Sequence, residues 1–330
     1  MPKVVRFHQT GSPDHLKIEE LPTRELAPAE VKLRVEAVGL NRAESLYYRG
    51  LYMEKPELPS RLGYEAVGVV TAVAPDVDKN WIGKRVATIP SFSQNKYGVL
   101  AEEAIVPVSS LAEFPAKLSA AEGAAIWMQY VTAWGALVHF GNVAKGDFVV
   151  IPAASSSVGL AAIQIVKDAG AIAIATTRAS KKRAELFALG ADHVIAAEEE
   201  DLVARVREIT GGKGARIIFD PVAGPFVEKL ADAAAYHGII FEYGALSLEP
   251  TPFPFFHAIT KGLTLRAYTL MEITADPAAL AEVKRYVHER IADSRFTPKI
   301  AKVFPFEQTV EAYKYLESNA QVGKIIITVP

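Results

Sequence analysis

The sequence predicts an α/β protein in which a doubly wound parallel sheet is joined to a smaller β-barrel domain, and three observations predict it. From residue 146 the chain reads GDFVVIPAASSSVGLAAIQIVKDAGAIAIAT: apolar run, small-residue turn, helix-periodic stretch, second apolar run. Such a βαβ unit places its turn at the carboxyl end of a parallel sheet. The same alternation of apolar runs and helical patterns then continues for roughly 120 residues, as a doubly wound sheet requires. Before it, residues 3–106 hold short strand-like runs punctuated by Gly and Pro, which suit a compact barrel or folded sheet.

In order, strands are expected at 4–8, 16–19, 31–40, 66–73, 85–89 and 101–106. The stretch 31–36 alternates Val31, Leu33 and Val35 with Lys32, Arg34 and Glu36, so one face is wet. Between these strands lies a polar and aromatic patch: Asn41, Arg42, Glu44, Tyr47, Tyr48, Tyr52, then Gly63, Tyr64 and Glu65. Residues 119–140 read as helical, opened by a capping box of Ser119 and Glu122, with Trp127 and Trp134 as core. After the strand at 148–151, the helix at 158–168 ends at Gly170 and a second strand covers 171–176. Further strands are expected at 191–195, 216–220, 238–243 and 263–270, with helices at 200–210 and 225–235. The segment 247–256 interleaves Pro250, Pro252 and Pro254 with Phe253, Phe255 and Phe256, and reads either as a pocket wall or as an apolar plug. A long helix at 276–291 and a strand at 325–329 complete the chain, and this part is expected to return to the first domain because chain ends often lie close together.

The turn of the βαβ unit is an anion site in outline. Unpaired N–H groups and the positive end of a helix dipole meet there, and a pyrophosphate suits both. Ser155, Ser156, Ser157, Val158 and Gly159 are its candidate contacts. The glycine fingerprint is degraded to Ala154, Ser156 and Gly159, which leaves a βαβ unit without a ligand as a competing reading. At the end of the second strand an NAD site normally carries a carboxylate for the ribose hydroxyls. Here the chain reads Thr177, Arg178, Ala179, Ser180, Lys181, Lys182, Arg183, with cations only. A 2′-phosphate can take charge-assisted hydrogen bonds from these groups, so NADPH is the expected cofactor. A solvated helix start is the bland alternative, but cations are disfavoured at a helix N-terminus unless an anion accompanies them.

Composition narrows the classes. A formal net charge of -2 over 330 residues gives no basic excess for nucleic acid. No run approaches the ~18 apolar residues of a membrane span, and the first ten residues, MPKVVRFHQT, lack a secretory apolar core, so a cytoplasmic location is expected. With no cysteine and scattered histidines, thiolate zinc sites are excluded and no metal is expected.

The stretches VGLNRAESLYYRGLY, LPSRLGYEAVGVV, AEGAAIWMQYVTAWGAL, PAASSSVGLAAIQIVKDAGA, LGADHVI, ITGGKGARIIFDPVAG and VGKIIIT carry a resemblance that spans the chain. It resembles a medium-chain dehydrogenase/reductase of the zinc-independent quinone oxidoreductase branch, which is similar in turn to enoyl reductase domains of polyketide synthases. The resemblance implies a GroES-like β-barrel substrate domain (1–120 and 271–330), a Rossmann domain (121–270), a cleft between them, and a homodimer. It also implies that Asn41 and Thr132 hold the nicotinamide end and that Gly244 and Ala245 cradle the ring. Lys182 would bind the 2′-phosphate with Arg178, while Asn319 and Lys324 would close over the cofactor. Tyr52 would line the substrate cleft, and Tyr52, Tyr64 and Asn41 are the catalytic candidates. Departures from the zinc-dependent members are Asn41 to Glu44, where those carry a Cys ligand, and Gly63, Tyr64, Glu65, where they carry Gly-His-Glu. Leu46, with Tyr47 beside it, and Ala197 stand where relatives have tyrosines. The implied reaction is metal-free hydride transfer from NADPH to a small quinone or α,β-unsaturated carbonyl. The alternatives are a non-enzymatic NADPH-binding protein of crystallin or regulatory type, or a zinc-free alcohol or ketone reductase.

Overall fold

The apolar runs between residues 148 and 267 assemble into one six-stranded sheet in the computed structural model, which describes residues 1–330. Its order is His193–Ala196, Ile172–Thr177, Phe148–Ile151, Ala215–Asp220, Ala234–Glu242, Thr264–Ala267, and every neighbouring pair is parallel. These strands are rich in Val and Ile because a parallel sheet is covered on both faces. Val149, Val150, Ile151, Ile174, Ile217 and Ile218 are all without exposed surface, each worth ~1.5–3 kcal/mol of burial. Strand order reverses about Phe148–Ile151, and the Ser157–Asp168 helix leaves the carboxyl end of that strand. The expected doubly wound sheet is therefore present. It belongs to a unit comprising Gln129–Ile273 and Ser294–Phe296.

The other unit comprises Met1–Met128, Thr274–Asp293 and Thr297–Pro330. Its main sheet is organised around the ten-residue strand Glu30–Gly39, which pairs antiparallel with Glu65–Val73, Glu103–Pro107 and Lys324–Thr328. Arg85–Thr88 and Leu111–Ala112 extend it on one side, and Ile300–Pro305 lies parallel to Lys324–Thr328 on the other. The C-terminal strand thus joins the N-terminal ones. The helix Pro277–Ala292 is tied to them by Lys284, whose ammonium donates to the Leu111 carbonyl at 2.9 Å.

Several expectations are corrected. The helical region 119–140 is three pieces: Ala120–Gly123 behind the expected Ser119–Glu122 capping box, then Trp127–Trp134, then a wider π-helical stretch Gly135–Phe140. The last piece begins where a Cβ on Gly135 would lie 2.0 Å from the Tyr268 hydroxyl, so only glycine lets that ring approach. The polar and aromatic patch contains a helix, Arg42–Tyr48, and the proline-phenylalanine segment runs into another, Phe255–Lys261. Residues 300–305 and 309–317 are a strand and a helix that carried no clear periodic signal.

Gly39 sits at a crossing point of the first unit's sheet, opposite Glu65 on one neighbour and Ile326 on the other. A Cβ there would lie 2.0 Å from the Ala124 carbonyl oxygen and 2.7 Å from Lys324 Cε. Gly39→Ala is therefore expected to cost more than ~2 kcal/mol, read as a fall in the unfolding midpoint, whereas Gly146→Ala, where a Cβ meets nothing within 4 Å, should cost only its backbone strain.

Candidate functional site

The register of the first unit dictates a buried polar cluster. Because Gly39 faces both Glu65 and Ile326, Asn41, Glu65 and Lys324 arrive at the same end of the sheet. The Lys324 ammonium donates to Asn41 Oδ1 and to Glu65 Oε2, each at 2.5 Å, and neither the Lys324 nor the Glu65 side chain has exposed surface. Glu65 Oε1 accepts from the Met128 N–H at 3.1 Å. Glu44 stands at the third position of the Arg42–Tyr48 helix, whose N-cap is Asn41. It accepts from the Asn41 N–H, from Asn41 Nδ2 at 3.2 Å and from the Tyr64 N–H at 3.2 Å. Burial nevertheless pushes its carboxyl up to about 7, against the pull of Lys324 and these donors.

This geometry fixes the Asn41 amide. An ammonium can only donate, so the amide oxygen must face Lys324, and the nitrogen then donates to Glu44 and, at 3.0 Å, to the Gly39 carbonyl. Both amide hydrogens are taken. Within this unit Asn41, expected as a catalytic donor and nicotinamide contact, orders its neighbours. Lys324, expected over the cofactor, is committed to Asn41 and Glu65. Asn319, expected there too, accepts from the Arg42 guanidinium at 2.6 Å and donates to the Glu317 carbonyl at 3.2 Å. The signal that could have revealed Glu44 is the Asn-x-x-Glu spacing of a helix start.

Tyr52 and Tyr64 are brought together, with ring centroids 6.5 Å apart, and Tyr64 packs on Phe92 at 5.8 Å. Tyr64 is buried and Tyr52 half-buried. Burial raises both phenol pKa values, so both keep their protons at neutral pH and act as donors.

The second unit carries the anion cradle. Ser156 caps the Ser157–Asp168 helix, its hydroxyl accepting from the Gly159 N–H at 3.1 Å. A Cβ on Gly159 would lie 2.6 Å from Ala154 Cα, so the surviving glycine is the one the helix-to-turn approach requires. Ser155, Ser157 and Val158 are half-buried in the same turn. Thr177 ends the neighbouring strand and is buried; Arg178 beyond it is exposed. Lys182 reaches back, donating to Ser155 Oγ at 3.0 Å. Its pKa is pushed down by burial and then by the charges of Lys181 and Arg178, a crowding of cations that an anion would relieve. Gly244 and Ala245 follow the fifth strand at the same carboxyl edge, where the Leu246 and Ser247 N–H groups donate to the Pro221 and Val222 carbonyls at 3.0 and 2.8 Å. Thr132 is buried on the Trp127–Trp134 helix. Phe253, Phe255 and Phe256 are 64%, 54% and 80% exposed, so they plug nothing.

Sequence reading also missed Asp220 and Glu242, which face each other in register on adjacent strands. Asp220 accepts from the Val222 and Ala223 N–H groups at 2.9 and 3.0 Å. Burial raises both carboxyl pKa values, and the Asp220 charge raises that of Glu242 further, so the pair retains a proton.

Comparison with known proteins bears on both units. Residues 27–116 match the model of the alcohol dehydrogenase GroES-like domain, and residues 157–285 that of the zinc-binding dehydrogenases. The Escherichia coli quinone oxidoreductase, solved in complex with NADPH, is 28% identical and superposes with a TM-score of 0.92 over 99% of each chain. An NAD-dependent alcohol dehydrogenase is 31% identical, with a TM-score of 0.90 over 99% of this chain and 100% of that one. The 2-haloacrylate reductase of a Burkholderia species is 26% identical over 97% of both chains. The chain also matches a phenolphthiocerol/phthiocerol polyketide synthase of Mycobacterium tuberculosis at 26% identity, spanning 99% of itself but only 15% of that relative's length.

The buried carboxyl of Glu44 makes stability pH-dependent. Its folded pKa of about 7 lies above its ordinary 4.5, so the stabilisation is complete below pH 4.5 and is lost as pH rises to 7. Denaturant titrations should show a decline of ~3 kcal/mol attributable to this group, and Glu44→Gln should flatten it. Lys324→Met, which leaves Glu65 buried and uncompensated, should cost ~3–5 kcal/mol at pH 7 by the same measurement.

Proposed function

We propose, for a chain that belongs to the medium-chain dehydrogenase/reductase family and to its quinone oxidoreductase-like branch, that it is an NADPH-dependent reductase of quinones or α,β-unsaturated carbonyls. The observation that carries the cofactor choice is the crowding of Arg178, Lys181 and Lys182 beside Ser155, with no carboxylate on that turn to receive ribose hydroxyls. Ser156 and the N–H groups of the Ser157–Asp168 helix start would hold the pyrophosphate, and Lys182 with Arg178 the 2′-phosphate. Thr132, Gly244 and Ala245 would hold the nicotinamide end. The NADPH complex of the related quinone oxidoreductase supports this reading, while the NAD-dependent relative sets the contrast to be tested.

Zinc does not fit the residues present. No three His, Cys, Asp or Glu side chains stand where they could ligate one ion, and Lys324 already brings a cation between Asn41 and Glu65. The reading is therefore metal-free. A reduced nicotinamide held by these residues would supply a hydride, and without a Lewis acid the acceptor carbon would have to be electrophilic already. When hydride adds to the β-carbon of an enone, the double-bond electrons move to the carbonyl oxygen. In this reading the Tyr52 hydroxyl would donate a hydrogen bond to that developing oxyanion. The proton that completes the saturated product would come from water or from a tyrosine.

The sheet edge Thr264–Ala267 has no further strand beside it, and Phe255, Phe256 and Ile259 are exposed on the preceding helix at 54%, 80% and 66%. An open edge beside apolar surface supports a homodimer built on this face. No helix is long and apolar enough to cross a membrane, and a cytoplasmic location is part of the reading.

Following absorbance of the reduced nicotinamide should show oxidation of NADPH with 1,4-benzoquinone or an enone and not with simple aldehydes; equal or better use of NADH would overturn the cofactor choice. In the double variant Arg178→Ala, Lys182→Ala, the dissociation constant for NADPH should rise ~10- to 100-fold while that for NADH changes little. Phe256→Asp should shift the mass seen by light scattering from dimer to monomer, and an unchanged mass would reject this face as the interface.

A further inference from the structure

The three-stranded sheet of the first unit sets a row of cations side by side. Its order is Leu16–Glu20, Lys3–Phe7, Ser60–Arg61, and the central Arg6 lies opposite Lys17 on one neighbour and opposite Arg61 on the other. Residues directly opposite on antiparallel strands share a face, with Cβ atoms ~4.5–5.5 Å apart, and like charges in that relation repel. The carboxylate that reaches the row is Glu19, which accepts from Arg6 Nη1 at 3.0 Å and is shared with His8 Nε2 at 2.5 Å. Arg6 Nη2 donates to the Pro59 carbonyl at 3.2 Å. These two bonds fix Arg6 and leave further N–H groups of its guanidinium without a protein acceptor.

Arg61 and Lys17 are not compensated. Neither side chain donates to a side chain or carbonyl, and neither has a carboxylate within ion-pair distance. Among the arginines only Arg178, in the anion cradle of the second unit, is in the same position. Arg61 is half-buried all the same, with its stem against the main chain at Gly98, where a Cβ would lie 2.5 Å from Arg61 Cβ. Burial, and then the charges of Arg6 and Arg24, push its pKa down. Glu30 gives no relief, because its two oxygens are taken by the Arg24 fork at 2.6 and 2.7 Å. A guanidinium drawn partly out of water, set opposite another and given no acceptor is costly, and cations so placed are normally paired. The fold holds these donors in place without supplying their anion.

We propose that Arg61, Arg6 and Lys17 form an anion site that takes a phosphoryl group, on a face of the first unit and with no residue in common with the cofactor cradle of the second. Two guanidinium groups and an ammonium match the several oxygens and the double charge of a phosphate better than they match a carboxylate, which one arginine fork would satisfy. The inference does not rest on the identity of the cofactor or of the hydride acceptor.

The test is calorimetric titration at constant ionic strength with inorganic phosphate and, separately, with phenyl phosphate. The full chain carries Arg178→Ala and Lys182→Ala, so that those cations of the second unit do not contribute. Adding Arg61→Gln to this background should weaken phosphate binding ~10- to 100-fold, the worth of a charge-assisted hydrogen bond. It should leave the unfolding midpoint in chloride unchanged or raised, because a charge opposite Arg6 is removed. Arg61→Lys, which keeps the charge and loses the fork, should recover part of the binding and serves as the replacement if Arg61→Gln does not fold. Phenyl phosphate binding as tightly as phosphate would identify the ligand as a phosphoryl group carried by a larger molecule, and binding of inorganic phosphate alone would identify the free ion. No binding of either probe, binding that both Arg61 variants leave unchanged, or equal displacement by chloride at the same ionic strength would overturn the inference.

Discussion

A buried ammonium, Lys324, holds one end of the first unit's sheet in a single arrangement. Taking a lysine and a glutamate out of water costs several kcal/mol per ion, and their attraction offsets that cost only when the geometry is close and the remaining polar atoms have partners. Here those conditions are met: 2.5 Å contacts to Glu65 and Asn41, and a main-chain N–H on the other Glu65 oxygen. The arrangement then spreads outward. Gly39 must lack a side chain so that the lysine stem can pass, the Asn41 amide has one allowed orientation, and that orientation decides what Glu44 can accept. The cluster adds one cation and two carboxyls, and Glu44 can stay neutral up to about pH 7, so the buried charge can balance.

The second unit works on different terms. Its cradle is made of backbone N–H groups, a capping hydroxyl and one close approach that only Gly159 permits. Replacing two of the usual glycines by Ala154 and Ser156 leaves this intact, since the close-packing glycine survives and a serine is a better N-cap than a glycine. The degraded fingerprint is thus a change of residues more than of geometry. Nearby, Asp220 fastens the next turn, and Glu242 facing it means that one carboxyl of the two carries a proton.

Much of this was legible in the residues. Period and punctuation were enough for the parallel sheet, for the helix at Ser157–Asp168 and for the capping box at Ser119 and Glu122, because these are local signals. The helix Arg42–Tyr48 escaped because its tyrosines and arginine show no apolar stripe, although Asn41 and Glu44 stood at capping-box spacing. The change at Gly135 escaped because the ring packed closely there belongs to Tyr268, far along the chain. The contacts of Lys324 escaped for the same reason: its partner Asn41 lies 283 positions away and is brought to it by strand register, which no local pattern records.

The order of the chain has a consequence for biogenesis. Gln129–Ile273 is contiguous apart from Ser294–Phe296 and can collect its sheet while the rest is still emerging. The other unit cannot, because Glu30–Gly39 waits for Lys324–Thr328 as its neighbour and Glu65 waits for its counter-ion. Until residues 324–328 are made, a nascent sheet around Glu30–Gly39 exposes an unpaired strand edge with an acidic end, a state disposed to aggregate. Closure of this unit is therefore an event of high contact order, and the lysine that completes it acts as a check that residues nearly 300 positions apart have met.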